Sequence, residues 1–423
     1  MCRNGGRTEP PTDREGCVMT ASTSTPPTTS PTTSGGLIDV PAGLAGVRAA
    51  DTALGDVRGS EGFYHYRQYS AIDLARTRTL EDVWFLQYEG HLPDSAELLD
   101  FRAQIDELRD LPPQLADMLP ALATAGPGSA MLPRLRTALS MLASIEGSRP
   151  VYGARPEDRR RDAMRVAAVT PTLLAGIYRL RRGESPLTPR PGLSAAAQWL
   201  YLLTGQEPES RDPRDVSAID RYLVCTVDHG FNASTFTARL VTSTGADVAS
   251  AVCSAIGAFS GPLHGGAPDR ALAALDDIGS PDRAEEWVRA RVTSGERIMG
   301  FGHAVYRTDD PRAALLRGIA QERGGRLAEF ATQVEKTVIR VLAELKPGRS
   351  LNTNVEFWAG VVMEQAGLAR DLFTPTFTVS RVIGWTANVL EQAQDSKIIR
   401  PSARYTGLPA PQPVPELDQV SAA

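Results

Sequence analysis

Helical windows follow one another along this chain with almost no strand pattern between them, and that imbalance is the strongest constraint on its fold. Thr79-Leu80-Glu81-Asp82 is an N-cap followed by first-turn acids, and Gly90 is a plausible stop. A second helix is expected from Asp94 or Ser95 to about Leu111, ahead of Pro112-Pro113. Apolar periodicity places further helices over 131–145, 159–181, 193–203, 216–225, 231–242, 248–259, 282–293, 311–341, 355–366 and 379–393. Strand patterns are confined to residues 45–69. There Gly46-Val47-Arg48 and Phe63-Tyr64-His65-Tyr66 are expected to form short ribbons. The fold class is mainly α.

Bulk composition narrows the function classes. The 423 residues carry a net charge of −5, which argues against a nucleic-acid partner. Lys336, Lys346 and Lys397 are the only lysines, so 42 of the 45 basic residues are arginines and a single Arg near a motif means little. The cysteines, Cys2, Cys17, Cys225 and Cys253, form no CxxC pair and suit a reducing compartment. The start of the chain lacks the apolar run of a signal peptide, and the least polar stretch, 246–263, reads as a packed buried helix. A cytoplasmic protein with no membrane partner is expected. Residues 1–35 are rich in Thr, Ser and Pro and are expected to be disordered, and the Pro-rich tail after Gly407 extended.

Chemistry concentrates in glycine-rich segments. His264 lies in Gly261-Pro262-Leu263-His264-Gly265-Gly266, where glycine permits close backbone approach. His229 lies in Asp228-His229-Gly230-Phe231-Asn232-Ala233-Ser234. It can bind a carboxylate at a helix N-terminus, or the segment can be a simple cap built on Asn232 or Ser234. His303 closes Met299-Gly300-Phe301-Gly302-His303, which lacks the third glycine and preceding strand of a dinucleotide fingerprint. Asn354 and Glu356 in Asn352-Thr353-Asn354-Val355-Glu356 open a helix as cap and first-turn acid. Arg312, Arg381 and Arg400 stand in DPR, SRV and IRP segments, and singly each is as well read as surface charge. No HExxH, CxxC pair, GxSxG or P-loop occurs. Imidazoles, one carboxylate and several guanidiniums together suit proton abstraction beside a carbonyl on an anionic substrate.

The order DHGFNAS, GPLHGG, GFGHAVYR, DPR, NVE, SRVIGW and IIRP, with GLAGV before it and YTG after it, resembles the citrate synthase family from about Gly36 to Gly407. The resemblance implies a mostly helical, two-domain homodimer. Its large domain would span 36–265 and 369–423, and its small domain 266–368. It implies condensation of acetyl-CoA, a substrate and not a tightly bound cofactor, with oxaloacetate, followed by thioester hydrolysis. By the same resemblance His264 holds the acetyl carbonyl as it becomes an enol, and His303 polarises the oxaloacetate ketone. His229, Arg312 and Arg381 bind its carboxylates, and Arg400 reaches in from the other subunit. Arginine suits that task because its planar fork makes two parallel bonds to a carboxylate. The loop with Arg297, Gly300, Phe301 and Gly302 corresponds to the adenine site of CoA. Arg307 falls near its phosphate, and Asn354 beside the loop.

Two departures stand out. Glu356 occupies the place of the family's catalytic Asp, adding one methylene, about 1.5 Å of reach. A misplacement of about 1 Å can cost on the order of 100-fold in rate. Thr353 stands where the family has Pro, and Tyr66-Arg67-Gln68-Tyr69-Ser70 where it has YRGYD. Three readings follow: a citrate synthase with Glu356 as base, a 2-methylcitrate synthase using propionyl-CoA, or a weakly active regulatory paralogue that binds CoA or dicarboxylates.

Overall fold

The computed structural model describes residues 37–414, apart from 127, 129, 263, 265–267 and 304. The expected disorder of 1–35 lies outside the described residues. These fall into two compact units, one spanning Thr52–Arg400 and the other formed by the flanking segments up to Asp51 and from Pro401. The described residues hold sixteen α-helices and one three-stranded antiparallel sheet. None of the helices is long and apolar enough to cross a membrane.

The helices form where their caps dictate. Thr79 and Asp82 make a reciprocal capping box, and Gly90 closes the helix Leu80–Glu89 in the left-handed conformation. Asp94 and Glu97 do the same for Ser95–Glu107, which stops short of the expected Leu111. Three helices escaped the sequence pattern: Ala71–Thr77, Pro113–Thr124 and Pro268–Ile278. Two of them begin with a proline, and Pro113, read as a breaker, stands at the first helical position, where its missing N–H costs nothing. The single helix expected over 311–341 is two, Pro311–Arg323 and Arg326–Leu345. They are parted by Gly324 and Gly325, both at positive φ (74° and 92°).

The sheet corrects a second expectation. Its strands are Gly55–Arg58 (β1), Phe63–Tyr66 (β2) and Tyr69–Ser70 (β3), with Val57 opposite Tyr64 and His65 opposite Ser70. Gly46-Val47-Arg48 is not a strand, because Gly43, Leu44 and Gly46 all sit at positive φ. The departures in Tyr66–Ser70 are accommodated. Ser70 accepts from the Asp73 N–H as the cap of Ala71–Thr77, a task Asp would also perform. The left-handed residue of the turn is Arg67, not Gln68.

The core is organised around the helix Phe373–Gln392, buried on nearly every face. It packs on the helices Pro156–Arg181, Pro213–Thr226, Ala233–Thr242 and Val248–Phe259. Its polar side chains are satisfied inside: Thr376 accepts from the Trp199 indole at 3.1 Å and Thr386 from the Tyr88 hydroxyl at 2.7 Å. Gly384 sets the closest approach, since a Cβ there would stand 2.1 Å from the Val227 carbonyl oxygen. That contact presses the segment carrying Asp228 and His229 against the helix that carries Arg381.

Candidate active site

One cleft of about 800 Å³ gathers the singled-out residues. His229, His264, His303, Arg297, Gly300, Phe301, Gly302, Arg312, Asn354, Glu356 and Arg381 all line it. Arg307 and Arg400 do not; both are exposed.

His229 follows the helix Pro213–Thr226 and precedes the cap Asn232, whose side chain accepts from the Thr235 N–H. Its Nε2 lies 2.9 Å from the Tyr306 hydroxyl, and its ring packs against Tyr64, His303 and Tyr306 with centroids 5.4–5.5 Å apart. His303 Nδ1 accepts from the backbone N–H groups of Val305 and Tyr306, at 3.0 and 3.1 Å. Those donors place the proton of the neutral ring on Nε2. Nε2 lies 3.3 Å from Arg312 Nη2. Two N–H donors therefore converge on one spot, an arrangement that suits an incoming oxygen.

His264 is held from the far side. Its Nε2 faces the Ser234 N–H at 3.4 Å and the Ser234 hydroxyl at 2.8 Å. A backbone N–H can only donate, so Nε2 is the acceptor and the neutral ring carries its proton on Nδ1. All three imidazoles resist protonation. Burial, reinforced by Arg381, brings His264 down to about 4. Burial and then Arg312 bring His303 to about 4. Burial, Arg312 and His303 hold His229 well below its ordinary value. At neutral pH the rings are uncharged donors and acceptors.

The two buried arginines bring fixed positive charge. Arg312, 3% exposed, is gripped by Asp310 through Nε at 3.0 Å and Nη2 at 2.9 Å. Arg381, 2% exposed, donates from Nε to the Thr226 carbonyl at 2.9 Å and lies over the Phe377 ring at 4.7 Å. Burial lowers its affinity for a proton, opposed by nearby Asp228, whose own carboxyl burial raises to about 6.

Glu356 stands in the first turn of Val355–Gln365, its N–H accepted by the Asn354 side chain at 3.1 Å. The 297–302 loop is pinned to this helix start. Gly302 N–H donates to the Asn352 carbonyl, Asn354 N–H to the Gly300 carbonyl, and Asn354 Nδ2 to the Gly302 carbonyl, at 2.8, 2.9 and 3.0 Å. Phe301 and Thr353 are paired across this bridge, yet the Thr353 N–H takes no part in it. A residue without an amide proton would lose no hydrogen bond of the bridge there. Among the described residues no group of three or more His, Cys, Asp or Glu side chains is placed to hold a metal.

Sequence reasoning missed Tyr306, Ser234 and Asp310. Tyr306 and Asp310 lie within the GHAVYR and DPR segments and Ser234 within DHGFNAS, so their signal was proximity to a motif. What each side chain touches is visible only in three dimensions.

The family model described as citrate synthase, C-terminal domain, matches residues 43–402. The chain is 35% identical over 366 residues to the citrate synthase of Deinococcus radiodurans, covering 86% of this chain and 95% of that one. It is 38% identical over 370 residues to the 2-methylcitrate synthase of Mycobacterium tuberculosis, covering 87% and 91%. Among solved structures it superposes with a TM-score of 0.80 on the citrate synthase of Thermoplasma acidophilum, seen in a ternary complex with carboxymethyl coenzyme A and oxaloacetate. The identity is 27%, and the match covers 89% of this chain and 98% of that one.

Proposed function

This chain belongs to the citrate synthase family, and we propose that its cleft condenses acetyl-CoA with oxaloacetate and hydrolyses the citryl thioester to citrate and CoA. The observation that carries this reading is the meeting of three neutral imidazoles, two buried guanidiniums and one carboxylate in a single cleft.

Oxaloacetate is bound through its carboxylates by His229, Arg312 and Arg381. Its ketone oxygen accepts from His303 Nε2–H, which polarises the carbonyl. The Glu356 carboxylate removes a methyl proton from acetyl-CoA while His264 Nδ1–H donates to the thioester oxygen as the enol forms. The new carbon–carbon bond closes from the enol carbon to the polarised ketone carbon as the ketone's π pair moves to its oxygen and takes the His303 Nε2 proton, and water then cleaves the thioester, releasing CoA as its thiol. Neutral rings suit these steps because each must offer one proton without repelling the neighbouring guanidiniums. The 297–302 loop receives the adenine of CoA, with Arg307 toward its phosphate. Residues 266–368 act as the smaller lobe that closes over the cleft, and a second copy of the chain supplies Arg400 in a homodimer.

The likeness to a 2-methylcitrate synthase favours a second acyl donor, propionyl-CoA. One extra methyl is worth only about 1–3 kcal/mol of discrimination in an apolar pocket. Thiol release measured with oxaloacetate and either acyl-CoA tests the reading. Turnover with acetyl-CoA at least tenfold more efficient than with propionyl-CoA supports citrate synthesis, the reverse ratio supports 2-methylcitrate synthesis, and turnover with neither contradicts both.

A further inference from the structure

Asp310 is 2% exposed and is not itself part of the cleft lining, yet four donors converge on its carboxylate. Oδ1 accepts from the Arg312 N–H and from Arg312 Nε, both at 3.0 Å. Oδ2 accepts from Arg312 Nη2 and from the Val355 N–H, both at 2.9 Å. The two bonds from Arg312 Nε and Nη2 fix the plane of the guanidinium. The Arg312 N–H bond caps the helix Pro311–Arg323. The Val355 bond reaches 45 residues along the chain to the first N–H of the helix Val355–Gln365, one residue before Glu356. That N–H is one of the donors a helix cannot satisfy internally.

We infer that Asp310 is the positioning residue that sets the distance between the anion-binding fork of Arg312 and the carboxylate of Glu356. One buried carboxylate joins the starts of two helices, so neither can shift without breaking a charge-assisted bond. Its Oδ2 serves both partners at once, which ties dicarboxylate binding to the placement of the base. In this chain the tie has added weight, because the base has the longer arm of Glu and its backbone must be held in register with the substrate. The inference rests on the roles proposed above for Arg312 and Glu356.

Asp310→Asn is nearly isosteric but turns one oxygen into an NH2 group, which faces Arg312 donor against donor in either orientation, and the Val355 N–H as well when it replaces Oδ2. The enzyme is assayed as the full chain with acetyl-CoA and oxaloacetate, alone and in a Glu356→Gln background, with oxaloacetate affinity measured separately by calorimetry. Asp310→Asn is expected to weaken oxaloacetate binding about tenfold or more in both backgrounds, the loss of a charge-assisted bond. It is expected to lower kcat on the order of 100-fold with Glu356 present, and by no more than about threefold when Glu356 is already Gln. A full second loss in the Glu356→Gln background would overturn the inference, because Asp310 would then not act through Glu356. A lower Tm with KM and kcat unchanged would overturn it too, leaving a plain helix cap. Asp310→Ser, which retains a good capping side chain, makes the same comparison should the Asn variant fail to fold. Wild-type turnover in Glu356→Gln alone would overturn the reading of the base, and with it this inference, and is recognised in that single variant.

Discussion

The Ser234 hydroxyl lies 2.8 Å from His264 Nε2 and accepts from the Trp385 indole at 3.1 Å, so it joins the cleft imidazole to the buried helix Phe373–Gln392. It is the side-chain hydrogen bond that fixes the His264 ring, which also packs on Phe259 with centroids 5.2 Å apart. Ser234→Ala should leave the ring held only by the weaker Ser234 N–H contact and by packing on Phe259. We expect kcat to fall about tenfold, the size of one lost hydrogen bond at a buried group, with KM for oxaloacetate nearly unchanged. Steady-state kinetics check this, and a selective rise in the oxaloacetate KM would place Ser234 on the other substrate.

Gly384 has no room for a side chain against the Val227 carbonyl. Gly384→Ala should cost about 1–3 kcal/mol by overpacking and push the segment before His229 out of place. Calorimetric unfolding and the oxaloacetate KM should worsen together. A variant with an unchanged Tm would show that the helix and the His229 segment are not in contact.

Asp220 is a partly buried carboxyl that accepts from the Leu80 N–H at 3.2 Å. Burial, with Glu81 adding to it, raises it to about 7 from the ordinary 3.8, while Arg102 opposes. Its folded-state affinity for a proton exceeds that of the unfolded chain. Its contribution to stability is therefore full below pH 4 and is lost as pH rises toward 7. Asp220→Asn removes the charge and keeps an acceptor for Leu80, so it should raise Tm more at pH 8 than at pH 5. An equal gain at both pH values, or a loss at pH 8, contradicts the assignment.

Arg400 is exposed and lies outside the cleft of its own chain. Mixing an Arg400→Ala chain with a His264→Ala chain, each nearly inactive alone, should restore activity in a hybrid site that draws Arg400 from one copy and His264 from the other. Verified heterodimers without activity would mean that Arg400 serves its own chain or none.

Much of this was legible because the signals are local. Thr79 and Gly90 announce their helix through a cap and a left-handed stop, and 248–259 was bounded to the residue. The histidines and arginines of the cleft stood out because glycines and helix starts surround them. The break at Gly324-Gly325 was hidden by apolar periodicity running through it, and Pro113 was read as an end when it begins a helix. Tyr306, Ser234 and Asp310 owe their parts to partners 77, 30 and 45 residues away, and no pattern along the chain carries such contacts.

Glu356 is the point on which the account turns, since it opens a helix in the cleft where the family places a shorter acid. The direct measurement is kcat for Glu356→Gln and Glu356→Asp with acetyl-CoA and oxaloacetate. The account predicts a fall of about 10²–10⁴-fold for Gln, the usual range for losing a general base. It also predicts a slower enzyme for Asp, because the Asp310 and Asn354 bonds hold a backbone suited to the longer arm. Unchanged turnover in the Gln variant would remove Glu356 from the chemistry, and a faster Asp variant would show that the longer arm is a handicap.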